Sequence, residues 1–211
     1  LMQTNHIICA EEHRLSPASL DLAVSDEIYR IEELLLPHTG EKIRDLLTDM
    51  GGTTIHSLSM PLETGVTYLA RLTESFALPP DVYAYCNPKS STGRNDIHAR
   101  VMANGTSRFD TLPLGYTGDL WVTITPNSFS IKMPAGETLS QIRFFTHDTR
   151  LSELELQIAM ERDKLLWDKM GNPIAYHRII TSDRDGSIML TADVAEEFVG
   201  WESTPSALVL D

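Results

Sequence analysis

Leu120-Trp121-Val122-Thr123-Ile124-Thr125 decides the fold class. β-Branched and aromatic side chains dominate it, and they alternate: Leu120, Val122 and Ile124 share one face, Trp121, Thr123 and Thr125 the other. Period two continues outward. Residues 128–133 set Phe129, Ile131 and Met133 against Ser130 and Lys132, and residues 66–72 and 82–86 form further short runs. Proline, glycine and asparagine separate these runs, the punctuation of all-β sandwiches and barrels. Residues 60–145 are therefore expected to be almost entirely β, without a long helix.

Two helices flank this region in the sequence. Ile43, Leu46, Leu47 and Met50 follow the i, i+3, i+4, i+7 spacing of one buried helical face, and Gly51 and Gly52 end it. Ser152, with Glu155 three residues on, is a capping box opening a second helix through Leu154, Ile158 and Leu165 towards Gly171. The expected organisation is one β-rich domain over 1–150, a connector helix over 151–170, and the start of a second, incomplete domain over 171–211. The abrupt start at Leu1 and the apolar run 207–210 read as cut from something longer.

With 211 residues and 42% hydrophobic content, the chain can bury one full core but not two. No apolar run is long enough to cross a bilayer and no secretion signal opens the chain, so a soluble, cytoplasmic protein without membrane contact is expected. Thirty acidic residues against seventeen basic give a net charge of −13, which repels a nucleic-acid backbone. A small phosphorylated ligand held by a local cluster of cations stays open. Cys9 and Cys86 form no CxxC pair, and the seven histidines show no ligand spacing, so neither a disulfide framework nor a zinc site is expected. Walker-A and GxGxxG patterns are absent, and Asn104-Gly105-Thr106 reads as a turn.

Asn87-Pro88-Lys89-Ser90-Ser91-Thr92-Gly93-Arg94 puts two cations, three hydroxyls and a glycine into one turn after a strand. Lysine and arginine offer charge and a planar donor fork to phosphate, hydroxyls orient water, and glycine admits a close ligand. On composition alone the segment is either an anion site or a polar surface loop.

The same segment resembles the signature loop of dCTP deaminases and, more loosely, of dUTPases. The resemblance extends in order through residues 16–22 (Ser-Pro-Ala-Ser-Leu-Asp-Leu), 62–65 (Leu-Glu-Thr-Gly), 74–79 (Glu-Ser-Phe-Ala-Leu-Pro), Phe109-Asp110, 115–120 (Gly-Tyr-Thr-Gly-Asp-Leu) and 136–142 (Gly-Glu-Thr-Leu-Ser-Gln-Ile). The style of the motifs is similar to the longer, two-domain bacterial deaminases. It implies a mainly β, distorted jelly-roll or β-barrel of the dUTPase-like type with a few peripheral helices, assembled as a homotrimer or pseudo-trimer. It also implies hydrolytic deamination of dCTP to dUTP and ammonia, on a triphosphate held with Mg²⁺ and without zinc, since the His-x-Glu and Pro-Cys-x-x-Cys motifs with which zinc deaminases bind metal and move protons are missing.

Carried over by position, Lys89 and Arg94 meet phosphate or orient the attacking water, and Ser90 and Ser91 hold that water and phosphate oxygens. Asp110 accepts a bond from the deoxyribose hydroxyl and Tyr116 lies against the sugar. Thr92, Gly93, Trp121 and Val122 complete the substrate-contacting positions. One position departs from the family. Counting on from Gly118, the glutamate that takes a proton from water and passes it to the leaving amine falls at Thr123, which has no charge state for that task near neutral pH. Two alternatives follow: a dUTPase-like pyrophosphatase acting through Asp110 on dUTP, or a catalytically impaired nucleotide-binding homologue. Asp119 could replace the base only if it turned inwards.

Overall fold

A computed structural model describes residues 1–211 apart from 35, 50, 52, 150, 182–187, 196, 201–203, 205 and 211. By internal contacts the chain divides into one unit of Leu1–His147 with Ser203–Asp211 and a second of Asp148–Glu202.

In the first unit, in chain order, lie β1 (Ile7–Ile8), β2 (Leu15–Ser16), β3 (Ser19–Ile31), helix α1 (Ile43–Asp49), β4 (Thr54–His56), β5 (Thr67–Ala77) and β6 (Tyr83–Pro88). Helix α2 (Ser90–Arg94), β7 (Ile97–Ala103), β8 (Thr111–Leu112), β9 (Thr117–Pro126), β10 (Phe129–Ile131) and β11 (Thr138–Phe145) follow. The second unit holds α3 (Glu153–Asp163), β12 (Ile180–Thr181) and β13 (Ile188–Met189), and β14 (Ser206–Leu210) belongs to the first. The expected mainly β class is what the structure has, and the one helix described within residues 60–145 is the five-residue α2.

Ten strands join one sheet in the order β7-β9-β5-β3-β11-β6-β8, with β1 on β5 and β2 and β4 on β3. β3 turns it into a nearly closed barrel. Its first half pairs with β11, from Leu20 opposite Ile142 to Ala23 opposite Thr138, and its second half pairs with β5, after a register shift between Val24 and Ile28. Such a bulge bends the strand so that one strand serves two layers. The main core lies between them: Leu20, Leu22, Ala84 and Ile142 from one side meet Tyr68, Leu72, Val101, Leu120, Val122 and Ile124 from the other. The opposite face of β5, β7 and β9 is also covered, because Leu69, Met102 and Trp121 pack with Ile31 and with Ile43 and Leu47 of α1. β9 is thus buried on both faces, and its alternation divides its residues between two cores.

α1 appears where the periodicity places it; Met50 lies outside the described residues. Its first turn is capped from a distant strand end, the Ile43 N–H donating to Asn104 Oδ1 at 2.9 Å. Asn104→Ala should cost about 1 kcal/mol, as removal of an N-cap does. Chemical denaturation measures this, and an unchanged midpoint would mean that packing alone holds α1.

The second expected helix is present, but shorter and turned. The Ser152–Glu155 capping box forms, yet α3 stops at Asp163 because Lys164 takes the left-handed conformation (φ 52°). Leu156, Ala159 and Met160 are buried, whereas Leu154, Ile158 and Leu165 are exposed. Both stripes have helical spacing, so periodicity could not choose between them. At the end of the described chain β14 runs parallel to β10, and Lys132 N–H donates to Leu210 O at 2.8 Å.

Candidate functional site

β6 leads through Pro88 directly into α2, so the segment read from sequence as a turn is one turn of helix. Gly93 N–H donates to Lys89 O (3.2 Å) and Asn95 N–H to Ser91 O (3.1 Å). A five-residue helix is marginal alone, and β11 supplies what it lacks. Lys89 N–H and the buried Thr92 hydroxyl both donate to Leu139 O, at 2.9 and 2.8 Å. With Thr92 facing inwards, Ser90, Ser91, Gly93 and Arg94 are turned to solvent. Among the described residues the side chains of Ser90, Ser91 and Arg94 take no hydrogen bond or ion pair, which leaves their donors for a ligand. Lys89 is engaged: its Nζ lies 2.6 Å from Asp21 Oδ2 and donates to Thr138 Oγ1 at 2.6 Å. Ser91 and Thr92 line a cavity of about 280 Å³ with Asn95, Lys132, Thr138 and Leu210.

Asp110 lies on the connection between β7 and β9, in the left-handed conformation (φ 58°) that aspartate tolerates better than most residues. Its backbone is tied to two strands, N–H to Val101 O (2.7 Å) and O from Cys86 N–H (2.9 Å). The carboxylate accepts from Val101 N–H (2.7 Å) and from Arg100 Nε, and the Arg100 guanidinium lies 5.0 Å from the Phe109 ring centre. Cys86 and Lys89 are three residues apart, about 10 Å of chain at ~3.3 Å per strand residue. One extended ligand of that length can reach from Asp110 to α2.

The remaining expected site residues are buried. Tyr116 is in the main core, its hydroxyl accepting from Asn104 N–H (3.1 Å) and donating to Asp119 O (2.6 Å), and burial pushes its pKa far up. A Cβ on Gly118 (φ 144°) would meet that hydroxyl at 3.1 Å, so the turn requires glycine. Val122 is in the main core, and Trp121 is in the smaller one beneath the Arg44 guanidinium.

Thr123, 3% exposed, stands opposite Leu69 on β5 and Arg100 on β7, with Oγ1 donating to Arg100 O at 3.3 Å. Asp119 does not turn towards it. Arg71 holds that carboxylate through two bonds of 3.0 and 3.2 Å. The structure therefore gathers Ser90, Ser91, Gly93 and Arg94 on one exposed turn above Thr92, with Lys89 and Asp110 nearby and engaged, and it buries the other four.

Sequence reading missed three charged partners. Arg100 faces Thr123 and binds Asp110, Asp21 binds Lys89, and Glu74 sits in the core. Alternation on β5 could have shown the last, since Tyr68, Ala70, Leu72, Glu74 and Phe76 share one buried face. Among the described residues no three His, Cys, Asp or Glu side chains gather into a metal site. The protein groups thus form no cage of their own, and a Mg²⁺ ion carried by phosphate oxygens needs none.

Residues 1–148 match the protein family described as the 2'-deoxycytidine 5'-triphosphate deaminase (DCD) N-terminal domain. No curated protein matches the chain. Among solved structures, the 2'-deoxycytidine 5'-triphosphate deaminase from Agrobacterium tumefaciens is 38% identical with a TM-score of 0.67, over 76% of this chain and 50% of that one. The chain thus spans half the length of that deaminase. The native dUTPase of EIAV overlaps at 16% identity and a TM-score of 0.37, over 77% of this chain and 92% of that one.

Proposed function

Because the chain belongs to the 2'-deoxycytidine 5'-triphosphate deaminase N-terminal domain family, we propose that it binds dCTP through α2 and Asp110, within a protein that hydrolyses dCTP to dUTP and ammonia. The observation that carries this reading is the exposed turn itself. Among the described residues the side chains of Ser90, Ser91 and Arg94 are uncommitted, on a helix whose backbone is tied to β11, so their donors stay available for a ligand.

In this reading Arg94 and Lys89 meet the phosphates, with Mg²⁺ arriving on the triphosphate. Ser90 and Ser91 orient phosphate oxygens and the water that attacks the cytosine ring, whose amine leaves as ammonia. Asp110 accepts from the sugar hydroxyl, and Tyr116, Trp121 and Val122 act from beneath by fixing the hairpin. The step left unprovided is proton transfer. Thr123 has no accessible charge state, Asp119 is held by Arg71, and losing a positioned base typically costs about 10²–10⁴ in rate. By itself this chain therefore binds dCTP and deaminates it slowly or not at all.

A dUTPase-like pyrophosphatase would use the Asp110 carboxylate to activate water. The match of residues 1–148 to the deaminase family favours deamination by the whole protein over that reading. No helix among the described residues is long and apolar enough to cross a membrane. The proposed setting is a cytoplasmic trimer or pseudo-trimer acting on free nucleotide.

Arg94→Ala tests the site. If Arg94 makes a charge-assisted bond to phosphate, triphosphate binding should weaken by about 1.5–3 kcal/mol. Calorimetric titration with dCTP and dUTP measures it, and unchanged affinity for both would remove α2 from the site.

A further inference from the structure

β3 places Asp21 between the buried Leu20 and Leu22, so its carboxylate emerges on the outer side of the strand, opposite Gln141 of β11. β6 delivers Lys89 to the same place. Nζ lies 2.6 Å from Asp21 Oδ2 and donates to Thr138 Oγ1 at 2.6 Å, with both ionic side chains partly buried. An ammonium has three donors, and two of them are taken. Thr138 also lines the cavity that Ser91 opens onto, with Lys132 and Glu137 on its wall.

We propose that Asp21 is an internal counter-ion that competes with phosphate for Lys89 and thereby lowers the affinity of the site for a polyphosphate. The proposal rests on the reading of residues 89–94 as an anion site. Asp21 acts twice in the same direction: it draws the ammonium towards β3, and its negative charge repels an arriving phosphate. Arg94, which has no side-chain partner among the described residues, is then the first cation a phosphate meets. Lys89 offers a phosphate its one remaining donor, and engages fully only as Asp21 releases it. Weakened affinity favours release of a tightly charged product and is what a turnover site requires more than a storage site does.

The sign of one substitution separates this role from a structural one. If Asp21 merely held Lys89 in place for phosphate, Asp21→Asn would weaken binding. As a competing counter-ion it strengthens binding when neutralised, while asparagine keeps the shape and one acceptor. The experiment is calorimetric titration of the whole chain with inorganic pyrophosphate and with dCTP, at low and high salt.

Asp21→Asn should tighten both by about two- to fivefold, the size of one partly exposed ion pair. The gain should shrink at high salt and vanish when Lys89→Met is added, which separates it from a general reduction of the −13 charge. Unchanged or weaker binding, or a gain that survives Lys89→Met, overturns the counter-ion role while leaving the site reading intact. No binding by either the unsubstituted chain or Asp21→Asn overturns both.

Discussion

Thr123→Glu should raise ammonia release from dCTP by up to about 10²–10⁴-fold, the usual worth of a positioned general base. The strand register puts side chain 123 on the face of Trp121, and the smaller core on that face confirms the alternation. Threonine there spends its hydroxyl on Arg100 O and cannot take a proton from water. A glutamate at the same position would be nearly buried, which is costly for an unpaired charge. It would not be unpaired, however. Arg100 lies directly opposite on β7, where facing Cβ atoms are ~5 Å apart, and among the described residues its terminal amino groups make no hydrogen bond or ion pair. Some stability should be lost through crowding against Leu69, so ammonia is assayed on protein shown to be folded and to bind dCTP. A folded, dCTP-binding Thr123→Glu protein with no gain would place proton transfer at another residue.

Glu74→Ala should cost about 3–5 kcal/mol, the loss expected when one member of a buried charge network is removed. Glu74 is fully buried between Leu72 and Phe76 on the core face of β5. Its carboxylate accepts the Ala23 N–H (3.0 and 3.3 Å) where β3 leaves β11 for β5, and it binds the Arg14 guanidinium at 3.2 Å. Alanine would strand that N–H and leave Arg14 only its 2.8 Å pair with Glu11. Denaturant midpoints measure the cost, and a loss below about 1 kcal/mol would make this no more than a surface ion pair.

The same residue gives stability a pH slope. Burial pushes the Glu74 carboxyl above its ordinary value, against the backbone bonds and Arg14, which pull it down. The folded chain then holds this proton longer than the unfolded chain does. Its stabilising contribution is complete below the unfolded value, about pH 4, and is lost as pH rises through the folded one. Glu74→Gln, which cannot titrate, should flatten that part of the profile.

Much of the fold could be read from residues whose partners are near in sequence or whose alternation is strict. Residues 120–125 give β9 and its two faces, Ile43 and Leu47 give α1, and Ser152 with Glu155 gives the start of α3. What escaped depends on distant contacts. Ser25, Asp26 and Glu27 break the apolar pattern of β3 because the strand changes partners there, and Ser90–Arg94 is helical because Leu139 O accepts from both Lys89 and Thr92.

The site shows the same division. Ordered motifs single out Lys89, Arg94, Asp110 and Thr123 as candidates, but no local pattern shows that Asp21 claims Lys89, that Arg100 claims Asp110, or that Tyr116 is tied inside the hairpin. Those pairings exist only once β3, β7 and β9 are assembled.

The central claim is that this chain holds a nucleoside triphosphate on the exposed turn at α2, and calorimetric titration of the unsubstituted chain with dCTP tests it most directly. The account predicts saturable binding of dCTP that inorganic pyrophosphate displaces. A titration that shows no saturable binding, or binding that pyrophosphate leaves untouched, would contradict it.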